Sequence, residues 1–236
     1  MNKLSVVIIT KNEEKFIADA IKSALFADEV LILDSGSEDK TCQIAKNLGV
    51  RVEYQKWLGF GKQKQKAVDL AKNRWVFVLD SDERITKELQ NELLKELKKP
   101  QNDAYFVARL NNFWGKDIKY LGLYPDYSIR FFDKTKAKFN DRDVHESVEC
   151  DECKKGYLKN HMKHLAYDSI EEFITKQNRY SSIGAKPNKL KALISPFWTF
   201  FKLYFIKLGF LEGWDGYVIA KLYSEYTFWK YVKENK

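Results

Sequence analysis

Over residues 4–97 the chain alternates between two hydrophobic periods, and this alternation restricts its fold more than any other feature. Leu4 to Thr10 is a continuous apolar run rich in β-branched residues, the pattern of a strand buried on both faces. Phe16, Ile17, Ala20, Ile21, Ala24 and Leu25 then recur at helical spacing. Asn12 stands before the acidic pair Glu13-Glu14, where a helix cap and first turn are expected. The cycle repeats through strands at 29–34, 50–54 and 75–80 and helices at 38–48, 62–71 and 86–97. Four strand–helix units predict an α/β fold with a mostly parallel sheet and helices on both faces. In such sheets ligands bind beyond the carboxyl ends of the strands, so the polar residues at those ends are the candidates for function.

After Pro100 the pattern shifts to short segments of strand character, 104–110 and 127–132, separated by turn-forming stretches at Asn111-Asn112 and 122–126. This part completes a first domain over 1–165 and supplies its acceptor side. Helical spacing returns near Ser169, with Phe173, Ile174, Gln177 and Tyr180 on one repeat. It breaks at Lys186-Pro187-Asn188 and resumes over 196–208 and 214–233, which makes 166–236 a helical extension. A chain of 236 residues that is 44% hydrophobic and 15% aromatic can bury a substantial core, which excludes a disordered protein. Its formal charge of +8 favours an anionic partner: a nucleic acid, a phosphorylated ligand or an anionic membrane. Three cysteines do not make a disulfide framework, and a reducing cytoplasm is the simplest setting. Lys11, Glu13 and Glu14 interrupt the N-terminal apolar run too early for a signal-peptide core.

Asp80-Ser81-Asp82-Glu83 directly follows the buried strand at 75–80, so the sheet delivers two carboxylates to its ligand-binding edge. Mg²⁺ or Mn²⁺ takes one or two such groups and completes its shell with water and phosphate oxygens. The plain structural reading of the same residues is an acidic turn capping the next helix. A second cluster, Asp34-Ser35-Gly36-Ser37-Glu38-Asp39, ends the second strand. Asp34 can accept hydrogen bonds from a base or ribose there, or the cluster is a turn with Ser37 as helix cap. Thr10, Asn12 and Glu13 end the first strand beside it, so Thr10, Asp34 and Asp80 are expected to line one crevice.

These segments resemble the inverting family 2 glycosyltransferases of GT-A (Rossmann-like) fold. The likeness runs through Ser5-Val6-Val7-Ile8-Ile9-Thr10-Lys11-Asn12-Glu13, Leu33-Asp34-Ser35-Gly36-Ser37-Glu38-Asp39-Lys40-Thr41 and Leu79-Asp80-Ser81-Asp82. Trp57-Leu58-Gly59-Phe60-Gly61-Lys62-Gln63-Lys64, Val144-His145-Glu146 and Gly209-Phe210-Leu211-Glu212-Gly213 are similar to the β-1,4-glucosyltransferases of lipopolysaccharide inner-core assembly. The resemblance implies that Thr10, Asn12, Glu13 and Asp34 hold the nucleotide and that Lys64 approaches the donor. It implies that Asp80 contacts ribose and metal, that Asp82 is the principal metal ligand, and that Glu146 is the general base, with His145 orienting the acid or the acceptor. Many relatives carry two acids after the second strand, where this chain has Asp34-Ser35, a departure from the family pattern at the turn that would meet the base. Asp141 and Asp143 are the reserve bases. The implied reaction moves glucose from UDP-glucose to heptose of a lipid-linked glycan at the cytoplasmic face of the inner membrane, with inversion to a β-glycoside.

Cys150-Asp151-Glu152-Cys153 with His161 and His164 suggests zinc, but the spacing is shorter than in the usual finger, and a turn with incidental or reversibly bonded cysteines is the default. The C-terminal extension carries Phe197, Phe200, Phe201, Tyr204, Phe205, Trp214, Tyr217, Tyr226, Phe228 and Trp229 among lysines, without an apolar stretch long enough to span a bilayer. Two readings stay open: interfacial helices on an anionic membrane, or aromatics packed on the first domain or on a second copy in a homodimer. Nucleic-acid binding would account for the charge, yet no helix-turn-helix, zinc-finger or RRM-type signature accompanies it. A non-catalytic nucleotide-sugar-binding module is the other alternative, and the set of Asp80, Asp82 and Glu146 opposes it.

Overall fold

The computed structural model describes residues 2–140 and 146–234. The chain forms two compact units, one from the N-terminus to Arg109 together with Tyr127–His164, the other from Leu110–Asp126 together with Leu165–Lys236.

The first unit begins with the alternation expected of it: β1 (Leu4–Thr10), α1 (Ile17–Ala24), β2 (Glu29–Asp34), α2 (Thr41–Asn47), β3 (Arg51–Tyr54), α3 (Phe60–Leu70), β4 (Trp75–Asp80), β5 (Glu83–Ile85) and α4 (Lys87–Lys98). β6 (Ala104–Phe113), β7 (Lys116–Ile118), β8 (Asp126–Asp133), β9 (Lys138–Phe139), β10 (Val148–Glu149) and β11 (Lys155–Tyr167) follow along the chain, all of β7 and the ends of β6, β8 and β11 belonging to the second unit. The main sheet runs β3-β2-β1-β4-β8-β6-β11-β5, with β7 on β6, while β9 and β10 pair separately. β1 lies parallel between β2 and β4, with Thr10 opposite Asp34 and Ile9 opposite Asp80. β8 joins β4 antiparallel, which ends the parallel part of the sheet.

Alternate residues of the central strands feed two cores. Val6, Ile8, Ile32, Phe77 and Leu79 pack with Ile17, Ile21, Leu89 and Leu93 on one face. Val7, Ile9, Leu31, Leu33, Val76 and Val78 pack with Ala67 and Val68 of α3 on the other. This burial on both sides is why the strands read as unbroken apolar runs. Removing a fully buried ring such as Phe77 is expected to cost about 3–5 kcal/mol. α4 is capped by Thr86 and not by the acidic turn before it: the Thr86 hydroxyl accepts from Leu89 N at 3.2 Å and donates to the His161 carbonyl at 2.8 Å.

Two expected caps are corrected. Asn12 does not cap α1; it adopts φ +55°, and its Oδ1 accepts from Glu38 N at 2.8 Å, across the loops. Ser37 does not cap α2, because Asp39 accepts from Thr41 N at 2.9 Å instead.

In the second unit α5 (Ile170–Ile183), α6 (Lys189–Phe201), a π-helical turn (Lys202–Ile206), a 3-10 turn (Gly209–Glu212) and α7 (Gly213–Val232) surround a core of Phe113, Ile118, Leu121, Ala166, Phe173, Ile219 and Ala220. Asn188, at the break in helical spacing, caps α6 by accepting from Lys191 N at 2.9 Å. The buried Glu212 accepts from Lys119 N at 2.7 Å and Tyr120 N at 3.1 Å, tying the 3-10 turn to the segment after β7. At Gly216 a Cβ would meet the Gly209 carbonyl oxygen at 1.9 Å, so close backbone approach requires glycine there. Among the described residues no helix is long and apolar enough to cross a membrane.

Candidate active site

The carboxyl ends of β1 and β2 form one hydrogen-bonded assembly. Ser35 N donates to the Thr10 carbonyl at 3.0 Å. Asn12 N donates to Ser37 Oγ at 2.8 Å, and Glu13 N donates to Thr41 Oγ1 at 2.8 Å. Asp34 is consumed by its own turn: Oδ1 accepts from Gly36 N and Ser37 N, both at 2.9 Å, and Oδ2 accepts from the Ser37 hydroxyl. Gly36, at φ +94°, permits that turn. Among the described residues the buried Thr10 hydroxyl has no hydrogen-bond partner, nor does the buried Gln63 Oε1. Unsatisfied polar atoms of this kind are costly to bury and mark places where a ligand would be accommodated. Ser35 lies on the α3 side, its Oγ accepting from Gln63 Nε2 at 3.0 Å.

The pleat separates the expected residues into two groups. Thr10 and Asp34 share the alternation of Ile8 and Ile32, whereas Asp80 shares that of Ile9 and Val78, which pack toward α3. Thr10, Asn12, Glu13 and Asp34 therefore sit together, and Asp80 is gathered with residues the alternation does not reveal. Lys64, buried on α3, donates from Nζ to Asp80 Oδ1 at 2.9 Å and to Glu146 Oε1 at 3.1 Å. One ammonium thus joins the end of β4 to a residue 82 positions from Lys64 in sequence. Behind Asp80, Arg130 of β8 donates from Nη1 to Asp80 Oδ2 at 3.1 Å and from Nη2 to Glu83 Oε1 at 2.7 Å. Glu83 Oε2 in turn accepts from Asp80 N at 2.9 Å.

Charge follows from this packing. Burial raises the Asp80 carboxyl, but Lys64 and Arg130 outweigh it and hold Asp80 well below the usual carboxylate range. Burial also pushes Glu83 up; Arg130 opposes this, while Asp80 and Asp82 add to it. Arg130, though burial works against its charge, is pushed up by Glu83 and Asp80 and stays protonated. Glu83 stands in the acidic cluster read from sequence without a role of its own, and Arg130 is a residue that reading does not name. The available signal was an arginine between the buried Ile129 and Phe131-Phe132, where a charge is tolerated only with a partner.

Asp82 occupies the turn between β4 and β5, with a side chain 34% exposed and one oxygen 3.4 Å from His164 Nε2. Among the described residues no group of three or more His, Cys, Asp and Glu could hold a metal ion. The partly exposed Asp82 next to Asp80 fits a hard cation held by one or two carboxylates and completed by water and phosphate oxygens. Glu146, half-buried, adjoins residues 141–145; His145, Asp141 and Asp143 lie outside the described residues. The zinc reading is not supported: Cys150 and Cys153 are joined to each other, and His164 lies against Asp82.

Residues 5–165 match the model of glycosyl transferase family 2. The chain is a family 2 glycosyltransferase. An uncharacterized glycosyltransferase of Rickettsia felis is 34% identical over 99% of this chain and 89% of its own length. The lipopolysaccharide core biosynthesis glycosyltransferase LpsC of Rhizobium meliloti is 28% identical over 95% of this chain and 89% of its own. Among solved structures, S. aureus TarS 1–349 in complex with UDP-GlcNAc superposes with a TM-score of 0.50 at 17% identity, covering 92% of this chain and 79% of that one. The family 2 glycosyltransferase thus has the mostly parallel α/β sheet expected from its strand–helix alternation and the GT-A fold that the resemblance implied, with a C-terminal helical extension.

Proposed function

We propose that this family 2 glycosyltransferase moves a hexose, glucose from UDP-glucose, onto heptose in a lipid-linked lipopolysaccharide-core glycan at the cytoplasmic face of the inner membrane, forming a β-glycoside by inversion. The observation that carries the reading is the shared Lys64 ammonium, which brings Glu146, a candidate base, to the same rim as Asp80. The likeness to LpsC supports the class of acceptor.

In this reading Thr10, Asn12 and Glu13 shape the nucleotide end. Asp34 contributes by fixing the turn that presents Ser35, since its oxygens are already engaged. Asp82, with Asp80, would hold Mg²⁺ or Mn²⁺, which would supply positive charge to offset the departing diphosphate. Lys64 keeps Asp80 ionised and in place for the ribose and metal. Glu146 removes the proton from the acceptor hydroxyl, a role worth about 10²- to 10⁴-fold in rate, and His145 orients it. Attack on an α-linked donor from the face opposite the diphosphate yields the β-linked product.

The test is a panel of nucleotide sugars with a heptose-terminated core acceptor and Mn²⁺ or Mg²⁺, run on wild type, Asp82→Ala and Glu146→Gln. Nucleoside diphosphate release and the anomeric configuration of the product are measured. UDP-glucose is expected to give a β-linked product, Glu146→Gln to lose about two to four orders of magnitude, and Asp82→Ala to lose its response to metal. Retention of wild-type rate by Glu146→Gln would remove the base assignment, and an α-linked product would remove inversion.

A further inference from the structure

The outer face of α6 is apolar at helical spacing and turned to solvent. Leu190, Leu193, Ile194, Phe197, Trp198, Phe201 and Phe205 are all exposed, Phe197 at 79%. The opposite face packs inward: Ala192 is buried, Pro196 O accepts from Ser224 Oγ at 2.8 Å, and the hydroxyls of Thr199 and Thr227 lie 3.2 Å apart. The exposed rings touch one another. Trp198 stacks on Phe201 and Phe201 meets Phe205, while the half-buried Tyr204, packed against the core of the unit, links Phe205 to Tyr217, which stacks on the 74%-exposed Trp214. A continuous aromatic surface of this kind marks an interaction site, not scattered surface hydrophobes.

We infer that this face of the second unit is a membrane-docking surface, with α6 and the π-helical turn lying in the headgroup plane of an anionic bilayer. Charge selects the occupant. Residues 189–208 carry Lys189, Lys191, Lys202 and Lys207 and no Asp or Glu. Lysines flanking an apolar stripe match anionic lipid headgroups, and the aromatic rings match the boundary between headgroup and acyl chain. A second copy docked here about a two-fold axis would bring both sets of four lysines into one interface, with no acid from residues 189–208 to offset them. This deepens the proposed reaction at a lipid-linked acceptor by naming the face that would hold the enzyme to the bilayer, but its test does not use the acceptor.

Sedimentation of the full chain with phosphatidylcholine vesicles, with and without phosphatidylglycerol, is the experiment. Wild type is expected to bind the anionic vesicles preferentially. Phe197→Glu/Trp198→Glu is expected to lower that partition by about tenfold or more, with an unchanged far-UV spectrum. Lys189→Gln/Lys202→Gln is expected to lower it by about tenfold on anionic vesicles only. Failure of wild type to bind, or equal binding by the Phe197/Trp198 variant, would overturn the inference. So would light scattering that shows a wild-type dimer, indifferent to vesicles, converted to monomer by that variant. Transfer to a soluble acceptor is expected to survive these substitutions, so its loss in Glu146→Gln alone bears only on the reaction.

Discussion

Arg130→Met tests the ion-pair arrangement beneath the acidic rim. Glu83 is fully buried and holds Arg130 at one oxygen and the Asp80 amide at the other. Without the guanidinium, Glu83 either keeps its charge, at about 3–5 kcal/mol for a broken buried pair, or takes up a proton. Holding neutral at pH 7 a carboxyl whose unfolded pKa is about 4.3 costs about 1.36 kcal/mol per pH unit, or about 3.7 kcal/mol. The two costs overlap, and burial together with the acids at 80 and 82, which already push Glu83 up, favours proton uptake. The folded variant then keeps a proton that folded wild type, with Arg130 opposing protonation, releases first, so its stability relative to wild type falls as pH rises through the raised value of wild-type Glu83. Urea denaturation should show a deficit that grows between pH 5 and pH 7, by up to about 2.7 kcal/mol at about 1.36 kcal/mol per pH unit. Adding Glu83→Gln should abolish the pH dependence. A deficit of equal size at both pH values, or none at pH 7, would refute this account.

Lys64→Met should lower transfer by about tenfold or more by freeing Asp80 and Glu146 from their common partner; unchanged kcat with a normal pH profile would contradict it. Gly216→Ala should destabilise the second unit by about 1–3 kcal/mol through the clash with the Gly209 carbonyl, read as a lower Tm. Thr86→Ala should cost about 1 kcal/mol in urea denaturation, since it removes the cap of α4.

Legibility from sequence followed the range of the forces involved. β1, β2 and β4 match the apolar runs residue for residue, because burial on both faces leaves a local mark. β11 was not read as a strand: lysines at 155, 159 and 163 break up its apolar positions, and its register is set by β5, some 80 residues away. The capping roles read for Asn12 and Ser37 were wrong for a related reason. Each side chain bonds across about 25 residues to the other's loop, which local rules cannot see. At the rim, the acids after β4 stood out by position, whereas the Arg130 and Glu83 pair needed the antiparallel placement of β8 to become visible. Asp34 was legible as important, but not as a group occupied by its own turn.

The loops after β1 and β2 are stitched together by Asn12 with Ser37 and Glu38, Glu13 with Thr41, and Glu14 with Asp39 and Lys40. Their lengths are therefore locked to each other. An insertion or deletion in one should be tolerated only with a matching change in the other, and transplanting either alone into another scaffold should leave its amides unpaired. Engineering of this end of the sheet would have to move the two loops as a single cassette.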